Sequence, residues 1–181
     1  MLQKPHSKPP GRLPRLDKSF YRGSAVVHWT LTTFDRAAGW LDEHFHFQFR
    51  ELLLHALIRE RLLCPIYCLM PDHIHLIWMG TGEHSDQLAA MVFLRTHLEK
   101  HLEPAKFQPQ AHDHVLRENE RQRGAFAAIV HYIAENPTRA ELAENSNDWP
   151  YAGCMVPGYP TLDPRAEKFW EVFWKIHSRF S

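Results

Sequence analysis

The order of the elements that the sequence predicts indicates an α+β fold: a ferredoxin-like split βαβ antiparallel sheet with helices on one face. Over residues 25–117 the elements follow one another as strand, helix, strand, strand, helix and a short further strand. A length of 181 residues fits one domain, and a hydrophobic share of 44% is enough for a core. A loop-rich helical extension is expected at the C-terminus.

The first three elements follow from residue type and spacing. Residues 25–32 are rich in β-branched and aromatic side chains, which predicts a strand. Asp42 is placed to cap a helix that runs to about Leu62, because apolar residues recur on one side of that segment. A second strand is predicted at about Cys64–Leu69, in which Cys64 and Cys68 are expected on the same face as core thiols.

The remaining predicted elements are each bounded by turn, capping or proline signals. They are a third strand at His73–Met79 after a Met-Pro-Asp turn, a helix capped by Ser85 and ending near Leu102, a short strand at residues 115–117, a helix from Gly124 to Glu135 that Asn136-Pro137 ends or kinks, and an aromatic helix at Arg165–His177. The helices between the strands are expected on one face of the sheet. The other face is expected to be free, which would suit nucleic-acid binding.

Positive charge is concentrated at the N-terminus, although the chain as a whole is neutral. Residues 1–24 hold six lysines and arginines and one aspartate, while the rest carries 15 basic and 20 acidic residues. Prolines at positions 5, 9, 10 and 14 exclude a helix there, so residues 1–20 are predicted to form a flexible basic arm. A plain disordered tail would have the same composition. The sequence lacks a long apolar stretch and the apolar centre of a signal peptide, so a cytoplasmic protein is expected.

The most informative motif is His73-Ile74-His75, in the third predicted strand. Side chains two apart on a strand point to the same face, so the two imidazoles are expected side by side with Ile74 packed behind them. Such a pair can present two nitrogen ligands to a metal ion. Histidines on a half-buried strand are an equally good interpretation of the spacing alone, because the chain has 14 histidines.

Two other His-x-His pairs give no comparable signal. His44 and His46 open a predicted helix, where side chains two apart diverge, so joint metal binding by them is not expected. His112 and His114 lie in a polar stretch whose role the sequence leaves open.

A second candidate group lies in the helix predicted before Asn136-Pro137. Ile129 and Ile133 belong to its apolar stripe, which leaves Tyr132 and Asn136 together on another face, four residues apart. A tyrosine beside a metal with histidine ligands suits phosphodiester cleavage, because the metal polarises the phosphate and the phenolate attacks phosphorus. An ordinary half-buried tyrosine is the commoner alternative.

These segments together resemble the single-tyrosine HUH transposases, and most closely the REP-associated tyrosine transposases. The resemblance rests on Leu69–Ile77, which contains the histidine pair, and on Tyr132–Ala140, in which Asn-Pro follows four residues after the tyrosine. Asp113–Arg117 and Trp149–Tyr151 also resemble that branch. The similarity extends from about Tyr21 to Tyr151, with both motifs in the expected order and separation.

The resemblance implies a role for each matching residue. His73 and His75 would hold a divalent metal, Mg²⁺ or Mn²⁺, and Asn136 would complete the metal site. Asp72 stands where asparagine is common in this motif, a change that we expect to be tolerated. Tyr132 would be the nucleophile that cuts single-stranded DNA, forming a 5′-phosphotyrosine and leaving a 3′-hydroxyl.

The substrate that the resemblance implies is single-stranded DNA folded into imperfect hairpins. Residues 21–151 would be the catalytic domain and residues 152–181 an extension with an aromatic helix. DNA contacts are expected from a basic path and from the arm, namely from Arg117, Arg121, Arg123, Arg139, Lys4, Lys8, Arg12 and Arg15. The protein would act as a monomer or a homodimer, and it would associate with the nucleoid when bound to DNA.

Three functions therefore remain open from the sequence. The first is metal-dependent cleavage and rejoining of DNA, and the second is non-catalytic, structure-specific DNA binding on the same fold. The third is hydrolysis of a small phosphoester by a metal site to which Tyr132 is incidental. A covalent adduct between the protein and a single-stranded oligonucleotide would separate them.

Overall fold

A five-stranded antiparallel sheet forms the centre of the computed structural model, which describes residues 15–180. Its strands are β1 (Val26–Thr32), β2 (Leu62–Met70), β3 (His73–Gly80), β4 (His112–Val115) and β5 (Ala152–Met155). They lie in the order β4-β1-β3-β2-β5. The first four strands have the order of a split βαβ sheet, so the predicted fold class is confirmed.

Local capping explains where the longer helices begin. The helices are α1 (Glu43–Glu60), α2 (Gln87–Leu98), α3 (Glu118–Gln122), α4 (Ala125–Ala134), α5 (Asn136–Arg139) and α6 (Phe169–His177). Asp42 caps α1 as predicted, because its carboxylate accepts a backbone N–H of the first turn at 2.7 Å. Asp86, and not Ser85, caps α2. The Ser85 hydroxyl instead donates to the Arg61 carbonyl at 2.7 Å.

The main core lies between one face of the sheet and helices α1 and α2. The strand side chains on this face are large, apolar and almost completely buried: Trp29, Leu31, Tyr67, Leu69, Ile74, Leu76 and Trp78. Ile74, the residue between the two histidines, is 0% exposed and belongs to this core, as predicted. The β3 backbone is therefore held from behind at the position where the histidine pair projects.

The other face of the sheet is partly covered, so the expectation of a free face is wrong for that part. Helices α4 and α6 bring Ile133, Phe169 and Phe173 against Ile66 and Ile77 of the sheet. The aromatic helix predicted in the C-terminal extension thus completes a second, smaller core. On β1, β3 and β4 the same face carries histidines and threonines.

The two cysteines of β2 face opposite sides of the sheet, which corrects the predicted shared face. The pairing of β2 with β3 shifts register between Leu63 and Ile66. A bulge of this kind inserts a residue and turns the following side chains to the other face. Cys64 therefore packs in the main core and Cys68 in the second core. Both thiols are free and buried, as expected.

Both ends of the described region, residues 15–180, pack more closely than their sequences suggest. Strand β5 pairs with β2, although its residues were predicted to belong to the C-terminal extension. Residues Lys18–Tyr21 form a 3₁₀ turn, and the Arg15 guanidinium pairs with the Asp113 carboxylate at 3.1 Å. Lys4, Lys8 and Arg12 of the predicted arm lie outside the described residues. Within residues 15–180, no helix is both long and apolar enough to cross a membrane.

Candidate metal centre and its tyrosine

Three adjacent strands place histidines on the sheet face opposite α1 and α2. These histidines are His28 of β1, His73 and His75 of β3, and His112 and His114 of β4. The register puts Thr30 opposite both His75 and His112, and His28 opposite His114. Residues directly opposite each other in an antiparallel pair project from the same face. The polar stretch that holds His112 and His114 therefore belongs to the same surface as the central pair.

His73 and His75 converge on one point, as their spacing predicted. Their Nε2 atoms are 3.1 Å apart, and the two rings are nearly perpendicular, at 86°. Two nitrogens that bind one ion at about 2.0–2.1 Å lie roughly 3 Å apart, so this separation fits a shared cation. The His73 side chain is 17% exposed, and His75 is 5% exposed. The pair is therefore held in the sheet and open to solvent mainly at His73.

Two polar groups of β1 contact the His75 ring, which is the more buried of the pair. The Nδ1 atom of His75 lies 3.0 Å from the Thr30 hydroxyl and 3.1 Å from Nε2 of His28. Burial, together with neighbouring histidines, lowers the pKa of His75 to about 3 and that of His28 to about 4. Both rings are therefore neutral at physiological pH. A neutral imidazole is the form that binds a metal ion.

The Asp72 carboxylate contacts the His73 ring, which is the more exposed of the pair. Nδ1 of His73 lies 2.6 Å from Oδ1 of Asp72, and Nη1 of Arg36 donates to Oδ2 of the same carboxylate at 3.0 Å. Burial alone would raise the pKa of Asp72, but the hydrogen bond with His73 and the charge of Arg36 hold that pKa below its usual value. Each histidine of the pair thus has a hydrogen-bonding partner at Nδ1 and directs Nε2 toward the other.

Helix α4 brings Tyr132 against this pair. The Tyr132 and His75 rings meet edge to face, with centroids 5.6 Å apart. Ile133, the next residue, is 0% exposed and anchors the helix in the second core, while Tyr132 remains 39% exposed. The Arg139 guanidinium lies over the Tyr132 ring, 4.8 Å from its centroid. The structure therefore places the predicted nucleophile beside the predicted metal ligands.

Asn136 lies one turn beyond the tyrosine and is 9% exposed. Its side-chain nitrogen donates to the Tyr132 carbonyl at 3.1 Å, which ties the end of α4 to the start of α5. Within the described part of the chain, no hydrogen bond joins Asn136 to either imidazole of the pair. Its predicted role as a metal ligand stays a prediction, with the carboxamide oxygen as the candidate atom.

The residues present fit an open metal site. In residues 15–180 no group of three or more His, Cys, Asp or Glu side chains is arranged to hold a metal ion. The candidate donors are the two imidazoles and the Asn136 amide oxygen, so the remaining positions would fall to water and substrate oxygens. Open positions of this kind are typical of catalytic rather than structural metal sites. Mixed nitrogen and oxygen ligands suit Mn²⁺ well, and substrate oxygens would also accommodate Mg²⁺.

The predicted basic residues occupy different positions around the site. Arg117 and Arg123 are exposed at the two ends of α3, whereas Arg121 pairs with Glu118 at 2.6 Å. Arg15 lies over the Trp29 ring, on the sheet face opposite Tyr132. Of the predicted arginines, only Arg139 makes a contact with the tyrosine within the described residues. The DNA-contact roles of these arginines remain predictions.

Sequence reasoning missed the residues that orient the pair. His28 and Thr30 alternate with buried Val27 and Trp29, so their even spacing could have assigned them to the same face as the histidines. The sequence did not indicate a role for Arg36, because this residue comes from a separate loop that folds back on the turn before β3.

His44 and His46, the histidine pair at the start of α1, have different surroundings. His46 Nε2 lies 3.0 Å from the Tyr67 hydroxyl, which also accepts a hydrogen bond from Arg50 at 2.8 Å. Burial raises the pKa of Tyr67 to about 12, so this tyrosine is a packed core residue and a poor nucleophile. Among the described residues, no contact joins His44 and His46 in one site.

Fold and site together define a class of protein in which a ferredoxin-like sheet presents a histidine pair to a tyrosine on a packed helix. The protein "Putative REP-associated tyrosine transposase" of Haemophilus influenzae is 24% identical over 151 residues, which span 75% of this chain and 82% of that relative. The solved structure of a REP-associated tyrosine transposase bound to a REP hairpin superposes with a TM-score of 0.63 and 18% identity, over 78% of this chain and 81% of the other. No protein-family model matches the chain.

The resemblance predicted from the two motifs is confirmed by these comparisons: the chain is similar in sequence and in fold to REP-associated tyrosine transposases.

Proposed function

We propose that this protein cuts and rejoins single-stranded, hairpin-forming DNA in a divalent-metal-dependent reaction, with Tyr132 as the nucleophile. The observation that carries the proposal is the ring contact between Tyr132 and His75, whose Nε2 atom faces that of His73. The similarity to transposases, one of which is described with a REP hairpin, supports hairpin DNA as the substrate class.

The chemistry exchanges one phosphoester for another. The Tyr132 oxygen would attack the scissile phosphorus while the bond to the 3′ oxygen breaks, which gives a 5′-phosphotyrosine and a 3′-hydroxyl. In the reverse sense, a 3′-hydroxyl attacks the phosphotyrosine and restores both DNA and tyrosine. Because bond energy is conserved in the adduct, rejoining requires no nucleotide cofactor.

Each neighbouring side chain has a task in this scheme. His73 and His75 would hold Mg²⁺ or Mn²⁺, with the Asn136 oxygen as a further ligand. The bound ion would supply Lewis-acid polarisation of the scissile phosphate. The Arg139 guanidinium, already over the Tyr132 ring, would stabilise the negative charge that develops on the attacking oxygen and the phosphate.

DNA would approach from the side of the sheet where the histidines lie. Arg117 and Arg123 are exposed near α4 and would contact phosphates, while the basic residues of the arm, Lys4, Lys8 and Arg12, would add affinity without specificity. A substrate of this kind implies an association with chromosomal DNA in the cytoplasm, and either a monomer or a homodimer could provide one complete site.

The proposal is tested by covalent capture on a hairpin oligonucleotide with single-stranded flanks. Wild-type protein, Tyr132→Phe and the control Tyr159→Phe are incubated with Mn²⁺ and resolved on a denaturing gel. We expect an adduct with the wild type and the control, and none with Tyr132→Phe or after addition of a chelator. Tyr159 is a suitable control because its hydroxyl accepts a hydrogen bond from Arg179 in the C-terminal extension.

The other outcomes point to the competing functions. Binding of the hairpin without cleavage by the wild type would indicate a non-catalytic DNA-binding protein. Hydrolysis of a small phosphodiester that persists in Tyr132→Phe would indicate a metal-dependent hydrolase. An adduct of normal yield in Tyr132→Phe would remove this tyrosine from the mechanism.

A further inference from the structure

The carboxylate of Asp72 is shared between a histidine and an arginine. Its Oδ1 atom lies 2.6 Å from Nδ1 of His73, and its Oδ2 atom accepts from Nη1 of Arg36 at 3.0 Å. The Asp72 side chain is 27% exposed, His73 is 17% exposed and Arg36 is 62% exposed, so solvent competes less for the His73 contact than for the Arg36 contact. The two oxygens thus have different partners.

The backbone around this carboxylate is also fixed. The Thr33 N–H donates to the Asp72 carbonyl at 3.0 Å, and the Thr33 hydroxyl lies 2.9 Å from this carbonyl and 2.8 Å from that of Ala37, which ties the turn before β3 to the end of β1. Asp35 and Arg36 have φ values of 52° and 55°, in the left-handed region that residues other than glycine rarely adopt. With this backbone conformation, the Arg36 side chain extends back to the Asp72 carboxylate.

We propose that Asp72 is a positioning residue: its carboxylate, held by Arg36, fixes His73 as the Nδ1–H tautomer and leaves the Nε2 lone pair for a divalent cation. A carboxylate has no hydrogen to donate, so the proton of this contact must come from the imidazole. The inference rests on the metal site proposed at His73 and His75. It adds the residue that decides which nitrogen of His73 can bind.

Replacement of Asp72 by asparagine tests this role, because Arg36 would set the orientation of the new side-chain amide. The guanidinium can only donate hydrogen bonds, so it would retain the amide oxygen of Asp72→Asn and turn the amide N–H₂ toward His73. His73 would then accept at Nδ1 and carry its proton on Nε2, where it opposes metal binding. Removing Arg36 as well would free the amide to rotate and offer its oxygen to His73 again.

The experiment measures Mn²⁺ binding and the tautomer of His73 in parallel. Mn²⁺ affinity is determined by calorimetry without DNA, and ring-nitrogen protonation by long-range ¹H–¹⁵N correlation spectra of metal-free protein at mildly alkaline pH. The proteins are the wild type, Asp72→Asn, the double variant Arg36→Ala/Asp72→Asn, and His73→Ala for resonance assignment. Glu171→Gln is the control for loss of a carboxylate charge, since Glu171 is exposed and paired with Lys175.

We expect the Nδ1–H tautomer in the wild type, the Nε2–H tautomer in Asp72→Asn, and about tenfold or weaker Mn²⁺ binding in that variant. The double variant should recover several-fold in affinity and return toward the Nδ1–H tautomer. Unchanged tautomer and affinity in Asp72→Asn would overturn the proposal. Failure of the wild type to bind Mn²⁺ would contradict the metal site itself, whereas the tautomer measurement would still decide the role of Asp72.

Discussion

The two faces of the sheet differ, although the same strands build both. On the face under α1 and α2, β1 and β3 contribute Trp29, Ile74 and Leu76, all of which are almost fully buried. On the other face, one residue away along each strand, they contribute His28 and His75. Alternation along a strand thus separates the main core from the candidate metal site by a single residue. Neighbouring substitutions on β3 should therefore have different consequences.

The largest expected effect is the loss of DNA cleavage in His73→Ala. This variant should form no detectable adduct, because one of the two proposed imidazole ligands is gone. Its thermal unfolding without metal should change little, because the side chain is at the surface end of the pair. A large loss of stability in the metal-free protein would instead support histidines with a packing role.

His75→Ala should also abolish the adduct, but it should be less stable than His73→Ala. The His75 ring is buried against Thr30 and His28, and its removal leaves those polar groups without a partner. Each buried polar group without a hydrogen-bonding partner lowers the free energy of unfolding by about 1–3 kcal/mol. Chemical denaturation of the two metal-free variants measures the difference, and equal stabilities would contradict the buried network.

Ile74→Ala should lose stability and keep its metal affinity, which is the opposite of what we expect for His73→Ala. Its side chain is 0% exposed in the main core, so truncation should lower the free energy of unfolding by about 2–5 kcal/mol. At a temperature where the variant is folded, Mn²⁺ affinity should stay within a few-fold of the wild type. Denaturant titration and calorimetry measure these two quantities. Lost metal binding in a folded Ile74→Ala protein would mean that the two faces are not independent.

A smaller effect is expected from removal of residues 1–14, which contain Lys4, Lys8 and Arg12. Loss of three charges that we propose contact phosphates should reduce the slope of log affinity against log salt by about 2 for single-stranded DNA. Hairpin and unrelated single strands should weaken by similar factors. This truncation retains Arg15 and its ion pair with Asp113. An altered sequence preference with an unchanged slope would mean that the arm reads bases or a groove.

The smallest effect should come from Thr30→Val. The substitution keeps the shape of the side chain and removes the hydroxyl that lies 3.0 Å from Nδ1 of His75. His28 remains as a partner, so Mn²⁺ affinity should fall by less than about tenfold. Calorimetry compares this variant with Thr32→Val, the next position on the same face of β1. A loss as large as that of His75→Ala would mean that Thr30 itself is a ligand.

The sequence predicted those parts of the structure that depend on regular spacing. β-Branched and aromatic composition predicted β1, a turn signal and apolar residues predicted β3, and the Asp42 cap located the start of α1. Alternation along β3 put Ile74 in the core and the two histidines together. The bulge that separates Cys64 from Cys68 could not be predicted, because it depends on pairing between β2 and β3.

Features built from distant segments were missed for the same reason. Strand β5 is short and contains Gly153, so it is defined by its pairing with β2 rather than by its own pattern. The contact between Arg36 and Asp72 joins a loop to a turn 36 residues away. The position of α6 on the sheet likewise depends on packing that composition alone does not reveal.

Tyr132, beside the histidine pair, is the residue that we propose becomes joined to DNA. Mass spectrometry of the trapped adduct, after nuclease and trypsin digestion, tests this proposal most directly. Trypsin should release residues 124–139, a peptide in which Tyr132 is the only tyrosine. We predict that this peptide carries the 5′-nucleotide. A nucleotide on any other peptide, such as the one that contains Tyr67, would contradict the account.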